Sequence, residues 1–197
     1  MKILQKVTAT AIAAVASIGL LAGCTATDPL AQQFRSGDNK NYIAGDGSVT
    51  EFAKVNRKAP QAWTGVTESG TTISSKQLVG VPQVINFWYA GCAPCRAEAP
   101  ELVKLAKEFD GKIQFVGVNV RDTAETALAF DRTFKITWPS VIDAQSGSVV
   151  LAFTGIVTPQ AVPTTLVVDK TGKVSARILG RVDPTILKAL IKTAVGE

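Results

Sequence analysis

Hydrophobic positions fall in blocks of different period along this chain, and each period predicts an element. Ala62 to Val66 and Thr71 to Ile73 flank Glu68-Ser69-Gly70 and predict a β-hairpin. Ser74 is placed to cap a short helix ending at Gly80. Gln83 to Tyr89 is a largely apolar run, as expected of a buried strand. Ala93 to Phe109 has helical spacing, with Pro100 expected to kink it. Ile113 to Val120 is a second continuous apolar strand, of the kind found in parallel sheets. Asp122, with Glu125 three residues on, predicts a capped helix through Lys135 that carries Ala124, Ala127, Leu128, Ala129 and Phe134. Trp138 to Asp143 reads as a short strand and Gly147 to Phe153 as a brief helix. Thr164 to Val168 and Lys173 to Gly180 pair across the turn Asp169-Lys170-Thr171-Gly172. Asp183-Pro184 then starts a last helix through Ala194. Strands alternating with helices, closed by a hairpin and a terminal helix, make an α/β sandwich.

The residues ahead of Pro60 show no such periods. Lys2 and Lys6 precede the apolar, Ala-rich stretch Ala9 to Leu21, the pattern of a secretory signal. That stretch is shorter than the roughly 20 residues of a membrane span. It ends in Leu21-Ala22-Gly23-Cys24, which resembles the lipobox of bacterial lipoproteins. The resemblance implies cleavage after residue 23 and a diacylglyceryl group on Cys24; an ordinary cleavable signal or a short signal anchor is the plainer alternative. Residues 24–58 are polar and turn-rich and read as a flexible tether with a reach of roughly 30 Å. Residues 59–197 are then one domain, held at the extracytoplasmic face of a bacterial membrane.

Charge narrows the partners. The chain carries +5 at pH 7, and losing residues 1–23 with their two lysines leaves +3. No dense Lys/Arg run suggests nucleic acid. The absence of histidine removes Cys–His nucleophilic pairs and histidine-dependent zinc sites, so no metal is expected. Of three cysteines, one is assigned to lipid, which leaves Cys92-Ala93-Pro94-Cys95 as a lone pair in an oxidising compartment. A disulfide across three residues closes too short a loop to matter for stability. At a helix N-terminus, unsatisfied N–H groups favour a thiolate. The pair is therefore read as a dithiol that opens and closes, with no cofactor beyond its own disulfide.

Asn86-Phe87-Trp88 before the CxxC, Glu98 and Pro100 after it, and Val162-Pro163-Thr164-Thr165 followed by Leu166-Val167-Val168-Asp169 together resemble the thioredoxin superfamily, specifically its membrane-tethered TlpA/ResA-type members. The resemblance covers about residues 58–197. It implies a thioredoxin-like sandwich: a central mixed sheet flanked by helices, an N-terminal hairpin extension, and an inserted helix between Val120 and Val162. It also implies that Cys92 is the exposed nucleophile and Cys95 the resolving thiol. Pro163 becomes the cis-proline beside which an extended substrate strand binds, in a groove bordered by Val162, Pro94 and Trp88. Trp88 and Phe87 also read simply as packing, as do Trp63 and Trp138. Pro94 stiffens the helix start without losing a needed N–H. Glu98 matches an acid that these proteins carry near the dithiol, where it would oppose thiolate formation or shuttle the proton of Cys95. A solvated acid near a helix start remains the alternative. Asn86 stands where plain thioredoxin has a buried acid, and Gly91 where it has a tryptophan.

The function these residues imply is reduction of disulfides in exported proteins, apocytochrome c among the candidates, with a transmembrane thiol donor recharging a monomeric enzyme. The same fold run in reverse would form disulfides. A lipid-anchored client-binding protein without turnover is a third reading, of a different class. A peroxidase is disfavoured, because Tyr89 occupies the position where those relatives carry threonine.

Overall fold

The computed structural model describes residues 48–157 and 161–196. The signal segment, Cys24 and most of the expected tether lie outside the described residues. The elements are β1 (Ser48–Glu51), a 3₁₀ turn (Lys54–Asn56), β2 (Thr64–Val66), β3 (Thr72–Ser74), α1 (Ser75–Leu78), β4 (Gln83–Trp88), α2 (Ala93–Glu108), β5 (Gln114–Asn119), α3 (Ala124–Phe134), β6 (Ser140–Ile142), α4 (Ser148–Ala152), β7 (Thr164–Val168), β8 (Val174–Leu179) and α5 (Pro184–Val195).

Six strands form one mixed sheet in the order β1-β8-β7-β4-β5-β6. β4 pairs in parallel with β5 and antiparallel with β7, so the strand that ends at the CxxC lies inside the sheet. Every residue of β4 is buried, which explains its largely apolar pattern. Alternate side chains go to opposite faces. Ile85 and Phe87 join Trp63, Val118, Phe153 and Leu166 on one side. Val84 joins Leu102 and Leu105 of α2 and Leu187, Leu190 and Ile191 of α5 on the other.

The hairpin β2–β3 covers the β6 edge. Ser140 N–H donates to the Glu68 carboxylate at 2.6 Å and Glu68 N–H to the Ser140 carbonyl at 3.0 Å. An edge so covered is closed to pairing with another chain. At the other end of the chain, Asp183 caps α5 by accepting from the N–H groups of Thr185 and Ile186.

One boundary differs from the sequence reading. The expected tether ran to residue 58, yet Ser48–Glu51 pairs antiparallel with β8. Phe52 packs on the core, and Arg57 forms a 2.9 Å ion pair with Asp169 in the β7–β8 turn. β1 has a single apolar residue, Val49, so it carried no strand pattern; the open edge of β8 supplies its pairing.

β5 owes its close approach to β6 to Gly117. A Cβ there would stand 2.9 Å from the Ser140 Cβ and 2.8 Å from the Trp88 indole nitrogen. Gly117→Ala should therefore destabilise the protein by about 3 kcal/mol, the scale of overpacking in a core. Urea unfolding of the two proteins measures this, and an alanine variant within 0.5 kcal/mol would show that β6 yields.

Candidate active site

β4 delivers the chain to the top of the sheet and α2 takes it away, with Cys92 as the N-cap residue between them. Ala93 and Pro94 fill the first two helical positions, where a missing N–H is harmless. The Cys92 sulfur accepts from the Cys95 N–H at 3.2 Å, so negative charge on that sulfur meets a donor. The two cysteines are joined, with an S–S distance of 2.01 Å and Cα atoms 5.2 Å apart.

The loop ahead of Cys92 is held by residues that the sequence reading missed or misassigned. Asp122 was expected to cap α3; Thr123 takes that position instead, its hydroxyl accepting from the Thr126 N–H. The Asp122 carboxylate accepts from Ala90 N–H at 2.6 Å and from the Asn119 amide at 2.8 Å. The Arg121 guanidinium lies over the Tyr89 ring at 4.3 Å, and Arg96 over Phe134 at 5.1 Å. A polar Asn119 closing an apolar strand was the available signal that this strand end does something other than pack.

Cys92 is not the exposed thiol expected of a first cysteine. Both cysteines are 3% exposed in the disulfide form, packed with Trp88, Ala99, Ala127 and Phe130. What stays open beside them is Gly91, Ala93 and Pro94, all exposed. Trp88 is likewise no groove wall. It is buried, its ring centroid 4.3 Å from that of Phe130 and its indole N–H donating to the Ser140 hydroxyl at 3.3 Å. Trp63 is buried in the core and Trp138 packs on Phe115 at 5.3 Å. The Val162–Pro163 peptide is cis. Pro163 is buried and its carbonyl accepts from Gly180 N–H, while half-buried Val162 packs on the cysteine cluster.

Glu98 is the largest departure from a surface reading. It is 1% exposed, so the solvated-acid alternative falls. Its Oε2 accepts from Val182 N–H at 2.8 Å and its Oε1 from the Asn86 amide at 3.0 Å; that same amide donates to the Thr165 hydroxyl at 3.0 Å. Desolvation pushes its carboxyl up to about 7, against the opposing pull of the Val182 N–H, Asn86 and the Arg181 charge. Asn86 thus occupies the expected place of a buried acid, and the acid itself comes from α2. Among the described residues no group of three or more His, Cys, Asp or Glu side chains is placed to hold a metal ion.

A helix-capping dithiol, a buried acid one turn along the same helix and a cis-proline loop against the cysteines define a thioredoxin-fold thiol–disulfide oxidoreductase. The sequence pattern of the AhpC/TSA family matches residues 55–177, and the chain belongs to that family. It is similar to the thiol-disulfide oxidoreductase ResA of Bacillus cereus, 27% identical over 131 residues that are 66% of this chain and 72% of ResA. It is 36% identical over 101 residues to the thiol:disulfide interchange protein HelX of Rhodobacter capsulatus, a match of 51% of this chain and only 53% of HelX. In three dimensions it resembles a DsbF homologue from Corynebacterium diphtheriae, with a TM-score of 0.66 at 26% identity, over 77% of this chain and 96% of that one. These likenesses mark the chain as a TlpA/ResA-type protein. No helix of the described residues is long and apolar enough to cross a membrane.

Proposed function

We propose that this protein reduces disulfides of exported proteins at the outer face of the cytoplasmic membrane, to which a lipid on Cys24 tethers it. The Cys92 thiolate attacks a substrate disulfide, and one substrate sulfur leaves with the electron pair. Cys95 then attacks the Cys92 sulfur of the mixed disulfide, which frees the reduced substrate and regenerates the internal disulfide. A transmembrane thiol donor restores the dithiol. The substrate lies extended along the backbone at Val162 and Pro163, beside the open face of Gly91, Ala93 and Pro94. Apocytochrome c before haem attachment is a fitting client, and Glu98 takes part by opposing thiolate formation.

The observation that carries the reducing direction is the burial of Glu98. An oxidant of this chemistry owes its strength to a stabilised reduced form. A carboxylate sealed one helical turn beyond Cys95 repels thiolate charge instead and favours the disulfide. Titration of the Cys92–Cys95 pair against a defined dithiol buffer tests this. A reduction potential near about −270 mV is expected, whereas one near about −120 mV would assign the protein to disulfide formation.

A further inference from the structure

A small cavity lies behind the dithiol, walled by Cys95, Asn86, Trp88, Phe130, Asp131 and Ser140. Its space for the centre of a water molecule is about 10 Å³, roughly what one water requires. Asn86, Asp131 and the Ser140 hydroxyl supply the polar partners such a water needs. Asp131 stands on α3, whose Ala127 and Phe130 pack directly on the cysteine cluster. Its Oδ1 is buried and has no hydrogen-bond partner among the described residues. The residue is only half-buried, so it reaches from the cavity towards solvent. Glu98 offers no such passage, because it is sealed and both of its oxygens are engaged.

Burial, reinforced by the Glu68 charge from the β2–β3 turn, raises the Asp131 carboxyl to about 7, and Arg132 beside it on α3 pulls the other way. From α2 the titratable groups on this region are Cys95, on the cavity wall, and Glu98, which acts through Asn86; β6 contributes the uncharged Ser140. A group that holds and releases a proton near neutrality is suited to relaying one.

Exchange chemistry makes a relay necessary. When an incoming thiolate opens the disulfide at Cys92, one S–S bond breaks and another forms, and Cys95 leaves with the electron pair and must gain a proton. When Cys95 later attacks the mixed disulfide, that proton must go. We propose that Asp131 is the proton gate of this dithiol: a water in the cavity carries the Cys95 proton to the Asp131 carboxylate, which exchanges it with solvent. The assignment rests on thiol–disulfide exchange itself and holds for either direction of electron flow.

The test is stopped-flow reduction of the full chain by dithiothreitol between pH 5 and 9, followed by tryptophan fluorescence, since Trp88 lies in the cluster that holds the disulfide. Asp131→Asn should slow the Cys95 step by about tenfold at pH 7 and weaken the inflection near 7, of which Glu98 supplies the remainder, while Asp131→Glu restores both. An asparagine variant with the wild-type rate and pH profile would overturn the gate. Carbon NMR of the wild-type carboxyls needs no variant: the Asp131 titration should move between the oxidised and reduced protein, and an unmoved titration overturns the proposal equally. A wild-type chain that does not cycle at all would remove the oxidoreductase reading together with the gate.

Discussion

Cys95→Ser should accumulate a covalent adduct with a disulfide substrate and lose turnover by roughly 10³-fold. The attacking sulfur remains at the helix cap, but the neighbour that would release the mixed disulfide is gone. Release then depends on thiols from solution, which lack the advantage of a group held in place. Cys92→Ser should lose turnover to the same extent and form no adduct. Both cysteines are 3% exposed, so exposure does not tell the attacking sulfur from the resolving one. Position does: the Cys92 sulfur is the one that receives the Cys95 N–H. Insulin reduction gives the rates, and mass spectrometry of the unreduced mixtures identifies the adduct. Adduct on Cys92→Ser and none on Cys95→Ser would reverse the two roles.

The second large effect belongs to Glu98. Its carboxyl titrates at about 7 in the folded protein against an ordinary value of 4.5. Between those values the folded protein keeps a proton that the unfolded chain has already released. The unfolded state therefore binds fewer protons, and stability falls as pH rises through the window. The full difference is worth about 3 kcal/mol. In Glu98→Gln the loss of stability between pH 5 and 8 should shrink by about that amount. Part of the slope will persist through Asp131, which is also raised but faces solvent on one side. Urea unfolding of the oxidised proteins across this range measures it, and parallel slopes for the two proteins would show that Glu98 is hydrated in solution. The same substitution removes a negative charge near the dithiol, so the reduction potential should rise, on the order of 30 mV.

Much of the architecture was legible because it is carried by local patterns. The long apolar runs of β4 and β5 announced strands buried on both faces, and β4 is buried at every position. Asp183-Pro184 announced the start of α5, and the Asp183 side chain accepts two N–H groups there. Ser74 announced α1, where Gln77 accepts from the Ser74 N–H at 2.7 Å. β1 escaped because an edge strand with one apolar residue has no period to read. Asp122 was misassigned for a related reason. An acid ahead of a helical stretch looks the same whether it caps that helix or reaches back to the Ala90 N–H, 32 residues earlier.

The site divides along the same line. The sequence by itself determined the dithiol, its place at the start of a helix and the presence of an acid one turn beyond it, since these follow from spacing within a single element. The tertiary structure alone decided what that acid is. Asn86, Thr165 and Val182 come from separate segments to close over Glu98 or its hydrogen-bond partner, and they take its carboxyl out of water. The free energy of a carboxylate depends on the water and donors around it, and residues distant in the chain supply those. The cavity that joins Cys95 to Asp131 has the same origin, because the space between two packed helices and a sheet belongs to none of them alone.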